Sequence, residues 1–241
     1  MKGEGNYHVI VYFHGGALIA GSKEMGKDIG EKLAKNGIGF VSANYRLSPT
    51  AKYPDHLNDA QTATDWTFNN IEPLGGDLKN IYVCGHSAGA YLAAVLALNK
   101  DLKIHKMRKI KGAILISPFL YVEETAPARI KRDTIYKSIW GTNPEDWEKA
   151  SVSPHIDGNN ERFISIMAEN DAVWRKEQNK RLNPILYSWQ QFMGGPIGAK
   201  SESIGVKLAE KNVNERTFAD CSWGFFSICH YITSFYLLRS Q

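Results

Sequence analysis

Runs of apolar, β-favouring residues recur along the chain at His8–Phe13, Ile38–Ala43, Ile81–Cys84, Ala113–Ile116, Phe163–Met167 and, more weakly marked, Arg216–Ala219. They are continuously apolar instead of alternating, the pattern of strands whose two faces both carry helices. Segments of helical character lie between them, and such β-α alternation predicts a parallel sheet. One helix is well marked: Leu57, Ala60, Thr64, Phe68 and Ile71 share a face, and Pro54-Asp55 supplies its start. The predicted fold class is α/β, a doubly wound, mostly parallel sheet flanked by helices. Glycines and a proline in Phe192 to Ser201 break two helical segments, so this stretch reads as a mobile loop, a lid hinge or a plain linker. The wider segment from about Lys176 to Ser203 reads as a long connection or insertion.

Composition narrows the class. A chain of 241 residues with 43% hydrophobic content buries a large core as one domain, taken as residues 1–241. Its 29 basic and 25 acidic residues leave a net charge of +4, too mild to demand a polyanionic partner. The densest basic stretch, Lys103 to Lys111, has no interleaved aromatics and reads as a solvated connecting face, so no nucleic-acid partner is expected. Cys84, Cys221 and Cys229 are odd in number and lack zinc-type spacing, which predicts reduced thiols in an intracellular, cytoplasmic protein and no metal site. Met1 to Asn6 is short and polar, and no run of eighteen apolar residues occurs. Neither secretion nor a membrane span is expected.

The chemistry concentrates at Gly85-His86-Ser87-Ala88-Gly89, which follows the apolar run ending at Cys84 and opens the helix-favouring run Ala90 to Leu98. This is the strand–turn–helix setting of a G-x-S-x-G nucleophile elbow. Side chains two residues either side of the serine would clash in so tight a turn, so glycine is needed there and Ser87 is presented to solvent. Doubly wound sheets bind ligands at the C-terminal strand ends, where strand order reverses. With strand order 2-1-3-4-5-6, that crevice lies between the first and third strands. Those strands end in His14-Gly15-Gly16-Ala17 and in the elbow, so two glycine-rich loops converge where a site is expected.

His14-Gly15-Gly16, Asn44-Tyr45-Arg46-Leu47-Ser48-Pro49, Gly75-Gly76-Asp77, the elbow and Glu169-Asn170-Asp171 stand in the order and spacing of α/β-hydrolase esterases. Over roughly residues 8 to 175 the chain resembles the hormone-sensitive-lipase-like and kynurenine-formamidase-like carboxylesterases of that superfamily. The resemblance implies Ser87 as nucleophile and Asp171 as the acid that orients a histidine. It implies an oxyanion hole from the backbone N–H groups of Gly16, Ala17 and Ala88. His14 and His86 then shape loops, and Tyr45, Arg46 and Asp59 brace the scaffold. The resembling enzymes carry two further strands before the His-Gly-Gly strand, so the implied α/β-hydrolase fold is N-terminally abbreviated. No cofactor is implied, and the partner is a small-molecule ester or amide substrate.

One element departs from the pattern. Chain order in this fold is Ser, Asp, His, and beyond Asp171 the sequence has His230. The resembling enzymes place their histidine just before a Phe-Ser-Ile-like stretch, where this chain has Phe225. If the terminal helix starts near Phe226, His230 is rotated by about 140° and displaced by roughly 7 Å from that slot. If the helix starts only at His230, a longer loop lets the imidazole enter the crevice. Two expectations follow: a serine carboxylesterase or formamidase-like amide hydrolase using Ser87, Asp171 and His230, or a hydrolase fold that binds without turnover.

Overall fold

A computed structural model of the chain describes residues 6–102, 110–155, 163–168 and 170–182. Within them, strands β1 (Tyr7–Phe13), β2 (Gly39–Ala43), β3 (Gly76–His86), β4 (Gly112–Ile116) and β5 (Phe163–Ile166) form one sheet ordered β2-β1-β3-β4-β5. Every neighbouring pair is parallel. Helices α1 (Lys27–Lys35), α2 (Asp55–Asn70) and α3 (Ala88–Leu98) connect the first four strands in turn. Helices α4 (Val122–Arg132), α5 (Ile135–Trp140) and α6 (Pro144–Ala150) lie between β4 and β5, and α7 (Val173–Leu182) follows β5. The chain leaves β1 for one side of the sheet and then crosses to β3 on the other. The strand order therefore reverses between the loops after β1 and β3, as the sequence predicts.

The strand period divides the core into two layers. Val9, Val11, Phe13, Ile81, Val83, Ala113 and Leu115 point to the face packed by α2 and α3. Ile10, Tyr12, Tyr82, Cys84, Ile114 and Ile116 point to the other face, where Ile29 and Leu33 of α1 meet them. Both layers are buried, which is why the strands read as unbroken apolar runs. Helix α2 buries the face expected of it, together with His56 and Thr67. Helix α3 is apolar nearly all round because it lies inside the larger layer.

Strand β3 begins at Gly76, five residues before the apolar run that marks it in the sequence. Gly75 turns the chain with φ +93°, and its carbonyl accepts from Asn6 and Tyr7 N–H at 2.7 and 3.2 Å. Gly76 pairs with Tyr7 and Ile81 with Val9, so the register shifts across Asp77–Asn80, a mostly polar stretch in which only Leu78 packs on the core. Residues 176–182, at the start of the segment read from sequence as a long connection or insertion, stand within α7. This helix is held by polar contacts: Gln178 Oε1 accepts from Leu120 N–H at 3.0 Å, and Asn179 Nδ2 donates to the Pro118 carbonyl at 3.1 Å. Buried amides leave no apolar periodicity to read. The weakly marked strand Arg216–Ala219, the hinge 192–201 and the remainder of 183–203 lie outside the described residues, as does 103–109 of the basic stretch.

Candidate active site

Ser87 occupies the turn between β3 and α3 with φ +52° and ψ −109°, a backbone state that few L-residues adopt. Two hydrogen bonds pin it there: its N–H donates to the Ile116 carbonyl at 2.8 Å, and its carbonyl accepts from Tyr91 N–H at 3.1 Å. The flanking glycines are required by space. A Cβ on Gly85 would overlap the Gly89 backbone, and one on Gly89 would overlap the Phe13 and His14 carbonyl groups. The elbow is thereby pressed against the end of β1. Ser87 itself remains partly exposed, as expected.

The loop after β1 turns left-handed over three successive residues, Gly16 (φ +123°), Ala17 (φ +56°) and Leu18 (φ +66°). The Gly16 carbonyl accepts from Ile19 and Ala20 N–H at 3.0 Å each, closing the turn. At Gly15 a Cβ would stand 2.6 Å from His86 Nδ1, so this loop lies directly beside the elbow. Gly16 and Ala17 are thus brought to the side of the crevice where Ala88 opens α3 with an N–H that has no intrahelical partner.

His14 is buried and stacks on Tyr45 at 4.3 Å, and Tyr45 donates its hydroxyl to the His14 carbonyl at 2.8 Å. Burial holds the His14 ring below the ordinary imidazole range, against smaller raising effects from its bond to the Gly15 carbonyl and from Glu24. Arg46 grips Asp59 through Nε and Nη2 at 2.8 and 2.9 Å, and Asp59 also accepts from Arg46 N–H at 2.9 Å. These bonds run within the scaffold on which the crevice stands.

Asp171 emerges just after β5. Its Oδ2 accepts from the Ser117 hydroxyl at 2.6 Å and from Ala168 N–H at 2.8 Å, while Arg175 Nε stands 3.9 Å from Oδ1. Arg175 also donates to the Ser117 carbonyl. Ser117 and Arg175 escaped the sequence reading, although both fix this carboxylate. Ser117 directly follows β4, has φ +48°, and donates its N–H to the Ile166 carbonyl at 2.7 Å, tying the ends of β4 and β5 together. The signal available was the Ser117-Pro118 pair that stops β4. Burial lowers the His86 imidazole, Arg175 lowers it further, and Asp171 opposes both, so these three groups share one end of the sheet.

Ser87, Asp171, Gly16, Ala17 and Ala88 therefore lie at the C-terminal ends of β1, β3 and β5. His230 and Phe225 lie outside the described residues. Among the described residues, no group of three or more His, Cys, Asp or Glu side chains is placed to hold a metal ion, and no helix is long and apolar enough to cross a membrane. Cys84 is a free thiol in the core, and burial pushes its pKa up.

A family described as alpha/beta hydrolase fold matches residues 10–185. Esterase LipC of Mycobacterium tuberculosis is 26% identical over 185 residues, 70% of this chain and 46% of that protein. Carboxylesterase NlhH of the same species is 38% identical over 97 residues, 38% of this chain and 29% of its own length. The chain thus spans less than half the length of these curated relatives. Among solved structures, an esterase of Pyrobaculum calidifontis superposes with a TM-score of 0.63 at 25% identity, covering 77% of this chain and 67% of the other.

Proposed function

This chain belongs to the alpha/beta-hydrolase family matched over residues 10–185, and from that membership we propose that it is a serine carboxylesterase for small carboxylic esters. The observation that carries the proposal is Ser87 held at φ +52° in a strand–turn–helix elbow, at the same C-terminal end of the sheet as the Asp171 carboxylate. Relatives that are esterases and carboxylesterases support the same class.

In this reading, Ser87 Oγ attacks the ester carbonyl carbon while the His230 imidazole takes the hydroxyl proton. Negative charge collects on the former carbonyl oxygen, where the N–H groups of Gly16, Ala17 and Ala88 receive it. The imidazolium then protonates the departing alkoxide, leaving an acyl-serine. Water, deprotonated by the same imidazole, releases the acid and restores the hydroxyl. Asp171 keeps the imidazole in the tautomer that accepts from serine and stabilises its charged form. An amide could enter the same cycle with an amine as leaving group.

Phe225 favours a second reading, in which the fold binds ligand without turnover, because a phenyl ring accepts no proton. The two readings separate on a short-chain 4-nitrophenyl ester and an organophosphonate probe, applied to wild type, Ser87→Ala and His230→Ala. The esterase reading expects turnover and labelling that vanish in Ser87→Ala, with His230→Ala falling by at least a hundredfold. Wild-type protein with neither turnover nor labelling would establish the binding reading instead. Full turnover in His230→Ala would remove His230 as the base.

A further inference from the structure

Along the same rim of the sheet runs a file of guanidinium groups and rings that the esterase cycle does not use. The Arg129 guanidinium of α4 lies 4.7 Å over the Phe119 ring, 5.5 Å over Tyr136 and 5.8 Å over Trp174. Phe119 stacks on Tyr91 at 4.9 Å with the rings 9° from parallel, so Tyr91 fills one face and Arg129 covers the other. Tyr91 belongs to the first turn of α3, where its N–H bonds the Ser87 carbonyl. Trp174 follows Asp171 by three residues and also carries the Arg175 guanidinium at 5.2 Å. Arg129 is therefore held at the C-terminal ends of β3, β4 and β5, beside the crevice.

Two neighbouring arginines are neutralised by protein groups, whereas among the described residues Arg132 meets only the Tyr136 hydroxyl and ring. Arg181 forms a two-pronged pair with Glu124 at 2.6 and 2.7 Å, and Arg175 stands against Asp171 and the Ser117 carbonyl. Among the described residues Arg129 has rings around it and no carboxylate. Its surroundings are hostile to a lone cation, since burial works against its charge and Arg175 and Arg132 add to that. A half-buried guanidinium is costly unless an anion meets it. Among the described residues its N–H groups meet rings and no hydrogen-bond acceptor, which leaves a guanidinium suited to a planar oxyanion.

We propose that Arg129 receives a carboxylate carried by the substrate, so that the preferred substrates are esters with a free carboxylate, such as half-esters of short dicarboxylic acids. This rests on the ester-hydrolase reading of Ser87. The carboxylate is held by the guanidinium edge while the ester carbonyl reaches Ser87, so the anion selects and orients the substrate and takes no part in bond breaking.

The test compares methyl hydrogen glutarate with methyl butyrate by methanol release, using wild type, Arg129→Gln and Arg129→Lys. Wild type is expected to favour the anionic ester at least tenfold in kcat/KM, and Arg129→Gln to cut that ratio tenfold or more, chiefly through KM. Arg129→Lys, which keeps the charge without the planar fork, should retain part of the ratio. A wild-type ratio near one, or one unmoved by Arg129→Gln, overturns the proposal. So does an equal loss on both esters, the mark of a purely structural arginine. If Arg129→Gln does not fold, Arg129→Lys and the salt dependence of the wild-type ratio decide the matter, because a charge-based preference must fall between low and high salt. Calorimetry of Ser87→Ala with methyl hydrogen glutarate separates the two readings. Binding that is lost on adding Arg129→Gln, in a protein without turnover, leaves the anion site standing and the hydrolase reading fallen. Turnover of methyl butyrate without an Arg129-dependent preference does the reverse.

Discussion

The Ser117 hydroxyl donates to Asp171 Oδ2 at 2.6 Å across the ends of β4 and β5, which fixes the carboxylate the proposed mechanism needs for its histidine. Ala168 N–H holds the same oxygen, while Oδ1 stands beside Arg175. Hydrogen bonds to a charged group contribute about 1.5–3 kcal/mol. Ser117→Ala is accordingly expected to lower kcat by about ten- to a hundredfold with little change in KM, because orientation of the base matters in the transition state and not in substrate binding. Steady-state kinetics on a 4-nitrophenyl ester reads the split. A loss confined to KM would show that Ser117 does not act through Asp171.

The elbow glycines differ in kind from the glycine that ends α1. A methyl group on Gly89 would overlap the Phe13 carbonyl, which is backbone at the end of a buried strand and cannot move aside. Gly37 has φ +74° but nothing within 4 Å of where its Cβ would stand. Gly89→Ala should cost about 3 kcal/mol or more, and Gly37→Ala about 1 kcal/mol from backbone strain alone. Urea denaturation of both variants checks the order. Equal losses would mean that close packing at the elbow contributes nothing.

Elements built on apolar burial were readable in the sequence, and elements built on polar or backbone contacts were not. Val9 to Phe13 and Ala113 to Ile116 are buried on both faces, so their runs announced the strands and, with α2, the layered sheet. The elbow and the His14-Gly15-Gly16 loop were legible because only glycine satisfies their sterics. Beyond the Ser117-Pro118 pair that stops β4, nothing local marks the role of Ser117, since that role depends on a positive φ and on a carboxylate 54 residues away in sequence. The helical start of α7 was missed for a similar reason: its anchors, Gln178 and Asn179, are buried amides bonded to the chain after β4. Arg129 drew no sequence reading, because nothing local to α4 places Phe119 and Trp174 beside it.

Buried histidines set the acid limb of stability. His56 donates from Nε2 to Ser48 Oγ at 3.1 Å, because that hydroxyl is itself committed to the Ala51 carbonyl at 2.6 Å. Its Nδ1 is buried with no hydrogen-bond partner among the described residues. Burial holds His56 and His14 below the ordinary imidazole range, and the carboxylates of Asp55 and Asp59 offset only part of this at His56. Unfolding frees both rings to protonate, so the unfolded state binds more protons as pH falls. Their contribution is complete above the unfolded value of about 6.5 and is lost as pH drops from there towards the folded values. The urea midpoint should therefore decline from about pH 6.5 downward, before carboxylates titrate. His56→Gln, which keeps a donor for Ser48, should flatten that slope, and an unchanged slope would exclude His56 as a contributor.

Strain at the nucleophile is measurable apart from activity. Ser87 carries a Cβ at φ +52° and ψ −109°, a conformation imposed by its N–H bond to the Ile116 carbonyl and by the start of α3. Such a residue stores about 1–3 kcal/mol, which glycine does not incur. Glycine gives back roughly 0.5–1 kcal/mol through the greater freedom of its unfolded chain. Ser87→Gly is thus expected to be more stable than Ser87→Ala by about 1 kcal/mol, although both lack the hydroxyl. Alanine retains the Cβ and with it the strain, so the pair isolates the backbone term from the loss of the side-chain oxygen. Urea midpoints measured side by side decide it: a Ser87→Gly protein no more stable than Ser87→Ala would mean that the elbow holds no strain worth releasing.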